Sequence, residues 1–439
     1  MRNLKDMQVV VLMGGLGTRL KNYTKQCPKS LVEVNGKPFF DYQLDLLIAW
    51  GFEKFLFLIG YHAEMIEDYY KDGSERGITI KYCYDGEKLL GTGGAIRNAY
   101  SYLEDDFILI YGDSFMDIDY AETVYRYDLG KKQGNHALMT VLKNNNCFDR
   151  SNVVMEGDKL VLYDKHNPTP QMDYIDYGVC AYEKSLFADY DENVAFDIAE
   201  IQNRLSLEGR MTPQIVTKRF YEIGSPSSLK EFSEYAKKRF ETDCPAVFLD
   251  RDGVINEIVL NEDTELMDSP LTIEEYDFLP EVKEAIALIK EKGYYVFVVT
   301  NQPAAAKGKT TLARLYDINT YMIESLKKDG VVIDDLFMCP HYTKILPTTR
   351  EEFLIKQCDC RKPKPGMIYK ALRKYRIDLQ KSYMVGDSCS DVEAGSAAGL
   401  KTVFLGALKC DACKKLLDLE PEYIAKDLME FARFLPESE

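Results

Sequence analysis

Apolar runs of strand length alternate with amphipathic segments along the first half of the chain. This alternation is typical of a sheet whose strands are joined by helices, because parallel strands need a crossover between them. The predicted strands are Val9 to Met13, Phe55 to Ile59, Ile78 to Tyr82 and Phe107 to Ile110, and the predicted helices include Tyr42 to Trp50 and Ala63 to Tyr70. The pattern therefore predicts a parallel α/β sheet.

The same alternation starts again after Pro245, which indicates a second α/β unit. Strand-like and helical stretches follow in turn over Ala246 to Leu249, Val282 to Lys292, Tyr295 to Val299, Leu312 to Lys327 and Tyr383 to Val385. A polar helical stretch, Ser227 to Arg239, precedes them, and Pro245 discourages its continuation because proline disfavours helix in the residue before it. We predict one domain over residues 1–240 and another over residues 244–432.

Length and charge narrow the functional classes to which the chain can belong. At 439 residues the chain exceeds what one hydrophobic core usually organises. Its 55 basic and 71 acidic residues give a net charge of -16, which repels nucleic acid and anionic lipid. No apolar run approaches the ~20 residues that a membrane span needs. We therefore expect a cytoplasmic protein without nucleic-acid or membrane partners, and the sequence leaves its oligomeric state open.

A glycine-rich turn, Gly14-Gly15-Leu16-Gly17-Thr18-Arg19-Leu20, directly follows the first predicted strand. Glycines let the backbone approach a polyphosphate closely, backbone amides donate to its oxygens, and arginine offers a forked guanidinium. The turn alone also fits a tight strand-to-helix connection. Three further features favour a nucleotide site: Lys29, the cluster Gly91-Thr92-Gly93-Gly94, and Asp113 at the end of a buried strand, where open α/β sheets bind ligands.

These residues resemble the sugar-1-phosphate nucleotidyltransferases, and the resemblance covers about residues 7–235. It implies a Rossmann-like α/β domain of nucleotidyltransferase type that joins a nucleoside triphosphate to a sugar 1-phosphate and releases pyrophosphate. The implied nucleotide-binding residues are Gly14, Gly15, Gly17 and Thr18, with Arg19 and Lys29 neutralising the phosphates and Gly91, Thr92, Gly93 and Gly94 lining the base and sugar pocket. The implied Mg²⁺ ligands are Asp113 and Glu222, and Lys165 is implied to contact the sugar phosphate. Without the resemblance, Lys165 and Glu222 also fit solvated surface residues.

Two aspartates, Asp250 and Asp252, directly follow the first predicted strand of the second unit. Two carboxylates at this spacing can share one Mg²⁺ while serving different chemical steps. Three further elements follow along the chain: Thr300-Asn301 after a strand, Arg361-Lys362 in a proline-rich stretch, and Gly386-Asp387 with Asp391.

This order of elements resembles the haloacid dehalogenase superfamily. The resemblance implies a haloacid dehalogenase-like α/β domain in which Asp250 is the nucleophile and Asp252 is the general acid/base. It also implies that Mg²⁺ binds Asp250, the backbone carbonyl of Asp252, and Asp387. The residues implied to hold the phosphoryl oxygens are Thr300, Asn301, Arg361 and Lys362. Asp391 also fits an ordinary acidic residue at the start of a helix.

Four soft metal ligands stand in two pairs, Cys339 with His341 and Cys358 with Cys360. Such a set predicts a closed, tetrahedral and structural Zn²⁺ site in a small loop that positions the Arg361-Lys362 segment. The eleven cysteines are too sparse for a disulfide scaffold, which favours a reducing compartment. Cys410 and Cys413 have no second pair nearby, and we expect them to be ordinary thiols.

The ligand pairs before Arg361 resemble, within the superfamily, the D-glycero-D-manno-heptose 1,7-bisphosphate phosphatases and the related histidinol-phosphate phosphatases. The fusion favours the first group, because removal of the C7 phosphate gives heptose 1-phosphate, which a nucleotidyltransferase can use. The N-terminal half most resembles the heptose 1-phosphate guanylyltransferases. The resemblance therefore implies GTP and heptose phosphates as substrates and an NDP-heptose as product.

Two alternatives stay open. The transferase half could be a binding or regulatory module, since it carries Glu222 and has Ser30 where the usual proline follows Lys29. Alternatively, both halves could be enzymes with other sugars, such as a hexose 1-phosphate and an unrelated phosphatase substrate. All of these interpretations share the fold class α/β with two domains.

Overall fold

The computed structural model describes residues 2–15, 20, 27–86, 90–261, 266–406 and 420–438. The chain divides into two compact units, Met1–Tyr235 and Ala236–Glu439, which we call the N-terminal and C-terminal units. Among the described residues, no helix is both long enough and apolar enough to cross a membrane.

The strands of the N-terminal unit are β1 (Gln8–Met13), β2 (Glu33–Val34), β3 (Lys37–Pro38), β4 (Lys54–Ile59), β5 (Thr79–Tyr84), β6 (Asp106–Tyr111), β7 (Ser114–Phe115), β8 (Ala137–Lys143), β9 (Val153–Glu156), β10 (Lys159–Tyr163), β11 (Tyr174–Glu183), β12 (Met211–Val216) and β13 (Tyr221–Glu222). Its helices are α1 (Phe39–Trp50), α2 (Ala63–Tyr70), α3 (Gly91–Asn98), α4 (Tyr120–Lys132), α5 (Ala199–Leu207) and α6 (Pro226–Ala236). Short 3-10 turns cover Leu4–Asp6, Lys29–Leu31, Ser74–Arg76, Tyr100–Tyr102 and Lys184–Phe187.

The predicted parallel sheet is confirmed for the four strands that the sequence pattern indicated. Strands β6, β1, β4 and β5 lie side by side in this order, and each pairs with its neighbour in parallel. The residues of β1, β4 and β6 are mostly apolar and buried, as strands covered on both faces require, whereas in the edge strand β5 only Ile80 is buried. The carboxyl ends of these four strands therefore meet along one edge.

The rest of the sheet is mostly antiparallel, which the sequence pattern did not predict, although β12 pairs with β8 in parallel. Strand β11 pairs antiparallel with both β6 and β8, and the hairpin β9–β10 extends the same sheet. Among the described strands this gives one sheet of nine. Strands β8, β9, β10 and β11 follow one another without a crossover helix, and the pairings among them are antiparallel, as parallel neighbours would need such a crossover.

Local sequence explains where several helices begin and end. The side chain of Asp119 accepts a hydrogen bond from the amide of Glu122 at the start of α4, as an N-cap residue does. Basic residues at the end of α4 face the negative end of its dipole. Helix α1 ends at Gly51, whose φ of 97° is left-handed and favours glycine.

Helix α6 packs onto the N-terminal unit through an aromatic cluster centred on Phe232. The Phe232 ring is fully buried, and its centroid lies 4.7 Å from that of Phe39 and 5.4 Å from that of Phe115. Strand β13, just before α6, pairs with β7, which directly follows Asp113. The aromatic cluster therefore fixes the segment that carries Glu222 beside the end of β6.

The strands of the C-terminal unit are β14 (Ala246–Leu249), β15 (Val259–Asn261), β16 (Leu266–Asp268), β17 (Tyr295–Asn301), β18 (Asp335–Cys339), β19 (Tyr383–Gly386), β20 (Lys401–Leu405) and β21 (Tyr423–Ala425). Its helices are α7 (Val282–Glu291), α8 (Leu312–Lys328), α9 (Gly366–Lys374), α10 (Cys389–Ala397) and α11 (Leu428–Phe434), with a π-helical turn over Lys237–Glu241 and 3-10 turns over Glu352–Leu354 and Leu379–Lys381.

One parallel sheet, with helices on both faces, organises the C-terminal unit. Its order among the described strands is β18-β17-β14-β19-β20-β21, and every pairing is parallel. Val247 and Leu249 face a core formed with α7, α8 and α11, whereas Ala246 and Phe248 face a second core formed with α9 and α10. This alternation places β14 at the centre, and Asp250 therefore leaves the sheet from its middle.

We expect Phe232→Ala to lower the free energy of unfolding of the N-terminal unit by about 3–5 kcal/mol, because it leaves a cavity in a buried aromatic cluster. The single tryptophan of the chain, Trp50, lies in this unit, so its fluorescence during urea unfolding measures the effect. Phe148 is half exposed, and Phe148→Ala is the matched control with a loss below about 1 kcal/mol. Equal losses in the two variants would contradict the packing role of Phe232.

Candidate active sites

The C-terminal unit brings three carboxylates together at the carboxyl edge of its sheet. Asp250 follows β14, Asp387 follows β19, and these two strands are adjacent and parallel. Asp391 lies in the first turn of α10, and one carboxylate oxygen from each of the three lies within 4.8 Å of the others. A Cβ atom at Gly253 would overlap the Asp387 carboxylate, so glycine is required for this close approach.

The ammonium group of Lys362 is buried among these acidic groups. Its Nζ atom lies 2.8 Å from Asp250 Oδ1 and 2.6 Å from Asp391 Oδ1, and it donates to the carbonyl of Val299 at 2.8 Å. The side chain of Asn301 bonds both the amide and the carbonyl of Lys362, at 3.0 and 3.1 Å. Asn301, predicted to hold a phosphoryl oxygen, is thus placed to fix the backbone of Lys362.

The charge balance of this cluster follows from burial and from Lys362. Burial raises the pKa of Asp250 above its ordinary value, and the Lys362 ammonium opposes that shift. Burial and then the Asp391 carboxylate raise the pKa of Asp387 to about 6. Burial alone would lower the pKa of Lys362, but the charges of Asp250 and Asp391 raise it. Three carboxylates with one ammonium leave excess negative charge, which a divalent cation can balance.

Asp252 points into a separate set of hydrogen-bond donors. Its Oδ1 atom accepts from Asn256 at 3.0 Å and from Arg251 Nη2 at 3.0 Å, and its Oδ2 atom accepts from Ser269 at 2.9 Å and from Gln302. Burial would raise the pKa of Asp252, but Arg251 and these donors bring it below its ordinary value. No sequence pattern indicated these four donors, although Arg251 and Gln302 stand next to motif residues.

Thr300 and Arg361 are chain neighbours of Asn301 and Lys362, respectively. Thr300 is fully buried, and its hydroxyl accepts a hydrogen bond from Gln302 at 2.8 Å. Arg361 reaches the carbonyl of His341 at 3.5 Å, which ties it to the loop of cysteine and histidine residues. Thr300 thus lies at the end of β17 near the carboxylates, whereas Arg361 contacts the loop of soft ligands, and the contacts of both residues with phosphate stay predictions.

The four predicted soft ligands converge. One ligand atom from each of Cys339, His341, Cys358 and Cys360 lies within 4.8 Å of the others. The Cys339 Sγ atom is 3.7 Å from that of Cys358 and 3.1 Å from that of Cys360, and His341 Nδ1 is 3.2 Å from Cys360 Sγ. Hydrogen bonding from Cys339 lowers the pKa of Cys360. The cluster has the composition and spacing of a tetrahedral metal site.

In the N-terminal unit, three predicted residues meet beside the end of β6. The Lys29 ammonium contacts the Asp113 carboxylate and lies 3.4 Å from Glu222 Oε1. Asp113 and Glu222 are neighbours because β7 pairs with β13 and the amide of Ile223 donates to the Asp113 carbonyl at 3.0 Å. Two carboxylates that share one ammonium group are close enough to share a metal ion.

A second cluster joins Thr92, Lys165 and Asp197. Asp197 accepts hydrogen bonds from Thr92 and Lys165, each at 2.9 Å, and the amide of Ile198 donates to the Thr92 hydroxyl at 2.9 Å. Asp197 was not predicted as a site residue, because the sequence has no motif around it. Lys165, predicted to contact a sugar phosphate, is half exposed beside this carboxylate.

Close packing against the segment that contains Phe196 explains why glycines stand at the start of α3. The amides of Gly93 and Gly94 donate to the carbonyl of Phe196, at 3.0 and 3.3 Å. A Cβ atom at Gly93 would overlap the Phe196 ring, and one at Gly91 would lie 2.6 Å from the Phe196 carbonyl oxygen. The predicted place of Gly91 to Gly94 in a base and sugar pocket stays a prediction.

Part of the predicted nucleotide loop can be located. Gly14 and Gly15 follow β1 directly, and a Cβ atom at Gly14 would overlap the carboxylate of Asp85. Gly17, Thr18 and Arg19 lie outside the described residues, as do Cys410 and Cys413.

Two family models match separate stretches of the chain: residues 8–238 match the nucleotidyl transferase model, and residues 359–431 match a HAD-hydrolase-like model. A D-glycero-beta-D-manno-heptose-1,7-bisphosphate 7-phosphatase of Haemophilus ducreyi is 40% identical over 163 residues, or 36% of this chain and 81% of the relative. A D-glycero-alpha-D-manno-heptose-1,7-bisphosphate 7-phosphatase of Photorhabdus laumondii is 38% identical over 161 residues, or 36% of this chain and 80% of the relative. A D-glycero-alpha-D-manno-heptose 1-phosphate guanylyltransferase of Campylobacter jejuni is 31% identical over 229 residues, or 52% of this chain and 98% of the relative.

The burial of Lys362 leads to a stability prediction. We expect Lys362→Met to lower the free energy of unfolding of the C-terminal unit by about 3–5 kcal/mol in EDTA, because two buried carboxylates lose their ammonium partner. Circular dichroism detects the unfolding of both units, whereas Trp50 fluorescence detects only the unfolding of the N-terminal unit. The transition seen by circular dichroism but not by fluorescence therefore measures the stability of the C-terminal unit. Lys364→Met is the control: Lys364 is exposed and pairs only with exposed Asp359 at 3.0 Å, so little stability should be lost. Wild-type stability in Lys362→Met would rule out this role for the ammonium.

Proposed function

The chain belongs to the nucleotidyl transferase family through residues 8–238 and also to the family of the heptose-1,7-bisphosphate 7-phosphatases, and from this premise we propose that it catalyses two consecutive reactions. The first removes the C7 phosphate of D-glycero-D-manno-heptose 1,7-bisphosphate. The second joins the resulting heptose 1-phosphate to the nucleotidyl group of GTP and releases pyrophosphate. We assign residues 244–432 to the phosphatase and residues 1–240 to the transferase.

The observation that carries the phosphatase assignment is the cluster of Asp250, Lys362 and Asp387 at the carboxyl edge of the sheet. In our proposal Asp250 attacks phosphorus while Asp252 gives a proton to the leaving C7 oxygen, and an aspartyl phosphate forms. Water then attacks that phosphorus, Asp252 takes the proton of the water, and phosphate leaves. Lys362 opposes the rise in the pKa of Asp250 that burial causes, and so favours the ionised form that nucleophilic attack requires.

The donors around Asp252 favour the second half of this reaction. They hold Asp252 as a carboxylate, which is the form that accepts a proton from water. To act as an acid in the first half, Asp252 has to carry a proton, and at least one of its hydrogen-bond donors then has to turn away. We propose that Thr300, Asn301, Arg361 and Lys362 hold the phosphoryl oxygens during both halves, although Asn301 first fixes the Lys362 backbone.

The donor atoms of the C-terminal unit fit two kinds of metal. Oxygen ligands with excess negative charge suit Mg²⁺, which would be held by Asp250, the Asp252 carbonyl and Asp387. Bound there, Mg²⁺ supplies positive charge next to the phosphoryl group. Three sulfur atoms and one imidazole nitrogen suit Zn²⁺, which would be held by Cys339, His341, Cys358 and Cys360 in a structural site. Asp391 is instead occupied as the partner of Lys362 and in the capping box with Ser388.

The meeting of Lys29, Asp113 and Glu222 carries the transferase assignment. In our proposal an oxygen of heptose 1-phosphate attacks the α-phosphorus of GTP in line, and pyrophosphate leaves without a covalent enzyme intermediate. Lys29 and Arg19 neutralise the nucleotide phosphates, Lys165 contacts the sugar phosphate, and the glycine loop at Gly14 and Gly15 approaches the nucleotide. Asp113 and Glu222 fit Mg²⁺, since both already bind one shared cation.

The combination of relatives favours one anomer. Phosphatases of both the alpha and the beta bisphosphate are similar to this chain at nearly equal identity, 38% and 40%. The guanylyltransferase relative is named for the alpha 1-phosphate. Because the product of the first reaction has to be the substrate of the second, we propose the alpha anomer. We also place the enzyme in the cytoplasm, where nucleoside triphosphates are made and thiols stay reduced.

A coupled assay tests the proposed function. Heptose 1,7-bisphosphate is supplied with GTP, ATP, CTP or UTP, and phosphate, pyrophosphate and NDP-heptose are followed together. We expect phosphate release followed by GDP-heptose, with the alpha bisphosphate preferred. Phosphate release without any formation of NDP-heptose would contradict the assignment of the N-terminal unit as a transferase. An NDP-sugar formed from a hexose 1-phosphate but not from heptose 1-phosphate would sink the sugar assignment.

Two reciprocal variants show whether each unit performs its own reaction. Asp250→Asn should abolish phosphate release from the bisphosphate and leave pyrophosphate release from heptose 1-phosphate and GTP unchanged. Lys29→Met should have the reverse effect. Each variant thus serves as the folding control for the other. Loss of both activities in either variant would contradict the division of labour between the two units.

The zinc assignment gives an independent prediction. We expect about one zinc per chain by atomic spectroscopy, and both Cys358→Ser and Cys360→Ser should lose it because a closed site needs all four ligands. Cys147 is exposed and outside this cluster, so Cys147→Ser should keep full zinc content. A protein that folds and acts normally without zinc would remove the structural role.

A further inference from the structure

Ser269 follows β16 directly, at the base of the hairpin formed by β15 and β16, and it contacts the Asp252 carboxylate. Its hydroxyl donates to Asp252 Oδ2 at 2.9 Å. Its amide donates to the Asp268 carboxylate at 3.1 Å, and Asp268 is paired in turn with Lys309 from the loop after β17. The hairpin and this ion pair therefore hold the serine against Asp252.

Ser269 differs in exposure from the other three hydrogen-bond partners of Asp252. Arg251, Asn256 and Gln302 are fully buried, whereas Ser269 is partly exposed. The Asp252 side chain itself keeps 13% of its surface exposed. The three buried donors therefore hold Asp252 from inside the fold, and Ser269 lies on the side that solvent reaches. A leaving group or a water molecule has to approach Asp252 from this side.

Ser269 can also reverse its hydrogen bond without any movement of its heavy atoms. A hydroxyl both donates and accepts, whereas a guanidinium only donates, and an amide nitrogen is replaced by an acceptor only when the amide turns round. The amide nitrogen of Asn256 also donates to the Glu257 carbonyl at 2.8 Å, and that of Gln302 also donates to the Thr300 hydroxyl at 2.8 Å. Turning either buried amide would break that second bond. The serine hydroxyl needs only a rotation about its own C–O bond.

We propose that Ser269 is a positioning residue that keeps Asp252 hydrogen-bonded both as an acid and as a base, and this inference rests on the proposed function. While Asp252 carries a proton on Oδ2, the serine turns its own proton away and its oxygen accepts from Oδ2. The charge that develops on the leaving C7 oxygen then draws this proton, so the bond from Oδ2 to hydrogen breaks and a bond from the C7 oxygen to hydrogen forms. The hydroxyl turns back and donates to the carboxylate, which takes a proton from water in the second half.

The variant Ser269→Ala should slow the half of the reaction in which Asp252 acts as an acid, because the three remaining partners all donate and favour the carboxylate. The value of kcat/KM reports the steps up to departure of the leaving group and so isolates this half. With heptose 1,7-bisphosphate we expect kcat/KM to fall about tenfold to a hundredfold, the weight of one hydrogen bond to an ionisable group. With p-nitrophenyl phosphate we expect a change below about threefold, because p-nitrophenolate leaves without a proton.

A double-mutant cycle shows whether Ser269 acts through Asp252. Asp252→Asn removes the acid, so the addition of Ser269→Ala should slow the release of phosphate from heptose 1,7-bisphosphate no further, as measured in a single turnover with excess enzyme. A serine that bound the sugar itself would lower the rate in both backgrounds.

Three controls separate this role from a loss of structure. Ser269→Thr keeps the hydroxyl and should recover most of the wild-type rate. Ser396→Ala makes the same chemical change at an exposed residue of α10 and should leave kcat/KM unchanged with both substrates. The affinity of Ser269→Ala for inorganic phosphate in the presence of Mg²⁺, measured by titration calorimetry, should match the wild type, because the serine contacts Asp252 and not the phosphoryl group.

Three results would overturn the proposal: wild-type kcat/KM for heptose 1,7-bisphosphate in Ser269→Ala, an equal loss with both substrates, or additive losses in the cycle. Failure of the proposed function looks different. A wild-type protein that hydrolyses p-nitrophenyl phosphate but not heptose 1,7-bisphosphate would refute the assigned sugar, and the same cycle with glycerol phosphate would still decide the role of Ser269. Phosphate release at the wild-type rate by Asp250→Asn would refute the assigned nucleophile.

Discussion

Both candidate active sites depend on the pairing of parallel strands, because parallel pairing brings the carboxyl ends of separate strands to one edge of a sheet. In the C-terminal unit the register that sets Leu249 opposite Val385 places Asp250 beside Asp387. In the N-terminal unit the parallel set β6-β1-β4-β5 brings Gly14, Gly60 and Asp85 together at one edge, with Asp113 at its far end. The helices and the antiparallel strands hold this arrangement in place, and the polar residues lie in the short loops beyond the strand ends.

Each unit places one lysine ammonium between two carboxylates. Lys362 lies between Asp250 and Asp391, and Lys29 contacts both Asp113 and Glu222. This arrangement suits a chain with a net charge of -16, since positive charge for phosphate binding has to be held locally. The two lysines differ in burial: Lys362 is buried and fixed, whereas the Lys29 side chain is 14% exposed. A buried ammonium is costly without partners, so we expect the carboxylates around Lys362 to contribute to stability as well as to the proposed reaction.

Both the side chain and the backbone of Lys362 are held by hydrogen bonds to residues of β17. Its ammonium donates to the Val299 carbonyl inside the sheet, and Asn301 clamps its backbone from the end of the same strand. Cys360, two residues before it, belongs to the cluster of soft metal ligands that Cys339 joins at the end of β18. The cluster of soft ligands and the strand end therefore both hold this short segment. This arrangement gives a physical reason for the proposed zinc site beside the lysine that we propose to act in the phosphatase reaction.

The sequence by itself determined the alternation of strands and helices, the four parallel strands on one side of the first sheet, and the short motifs around Asp250, Asp387, Lys362 and the four soft ligands. These features follow from local pattern, since strand period, turn chemistry and ligand spacing act over a few residues. Only the tertiary structure decided that β11 runs antiparallel, that Asn301 serves the backbone of Lys362, and that Asp197 joins Thr92 to Lys165. It also decided that Asp85 meets Gly14 and Gly60. Those contacts join residues far apart in the chain, and neither member carries a periodic or local signal that names its partner.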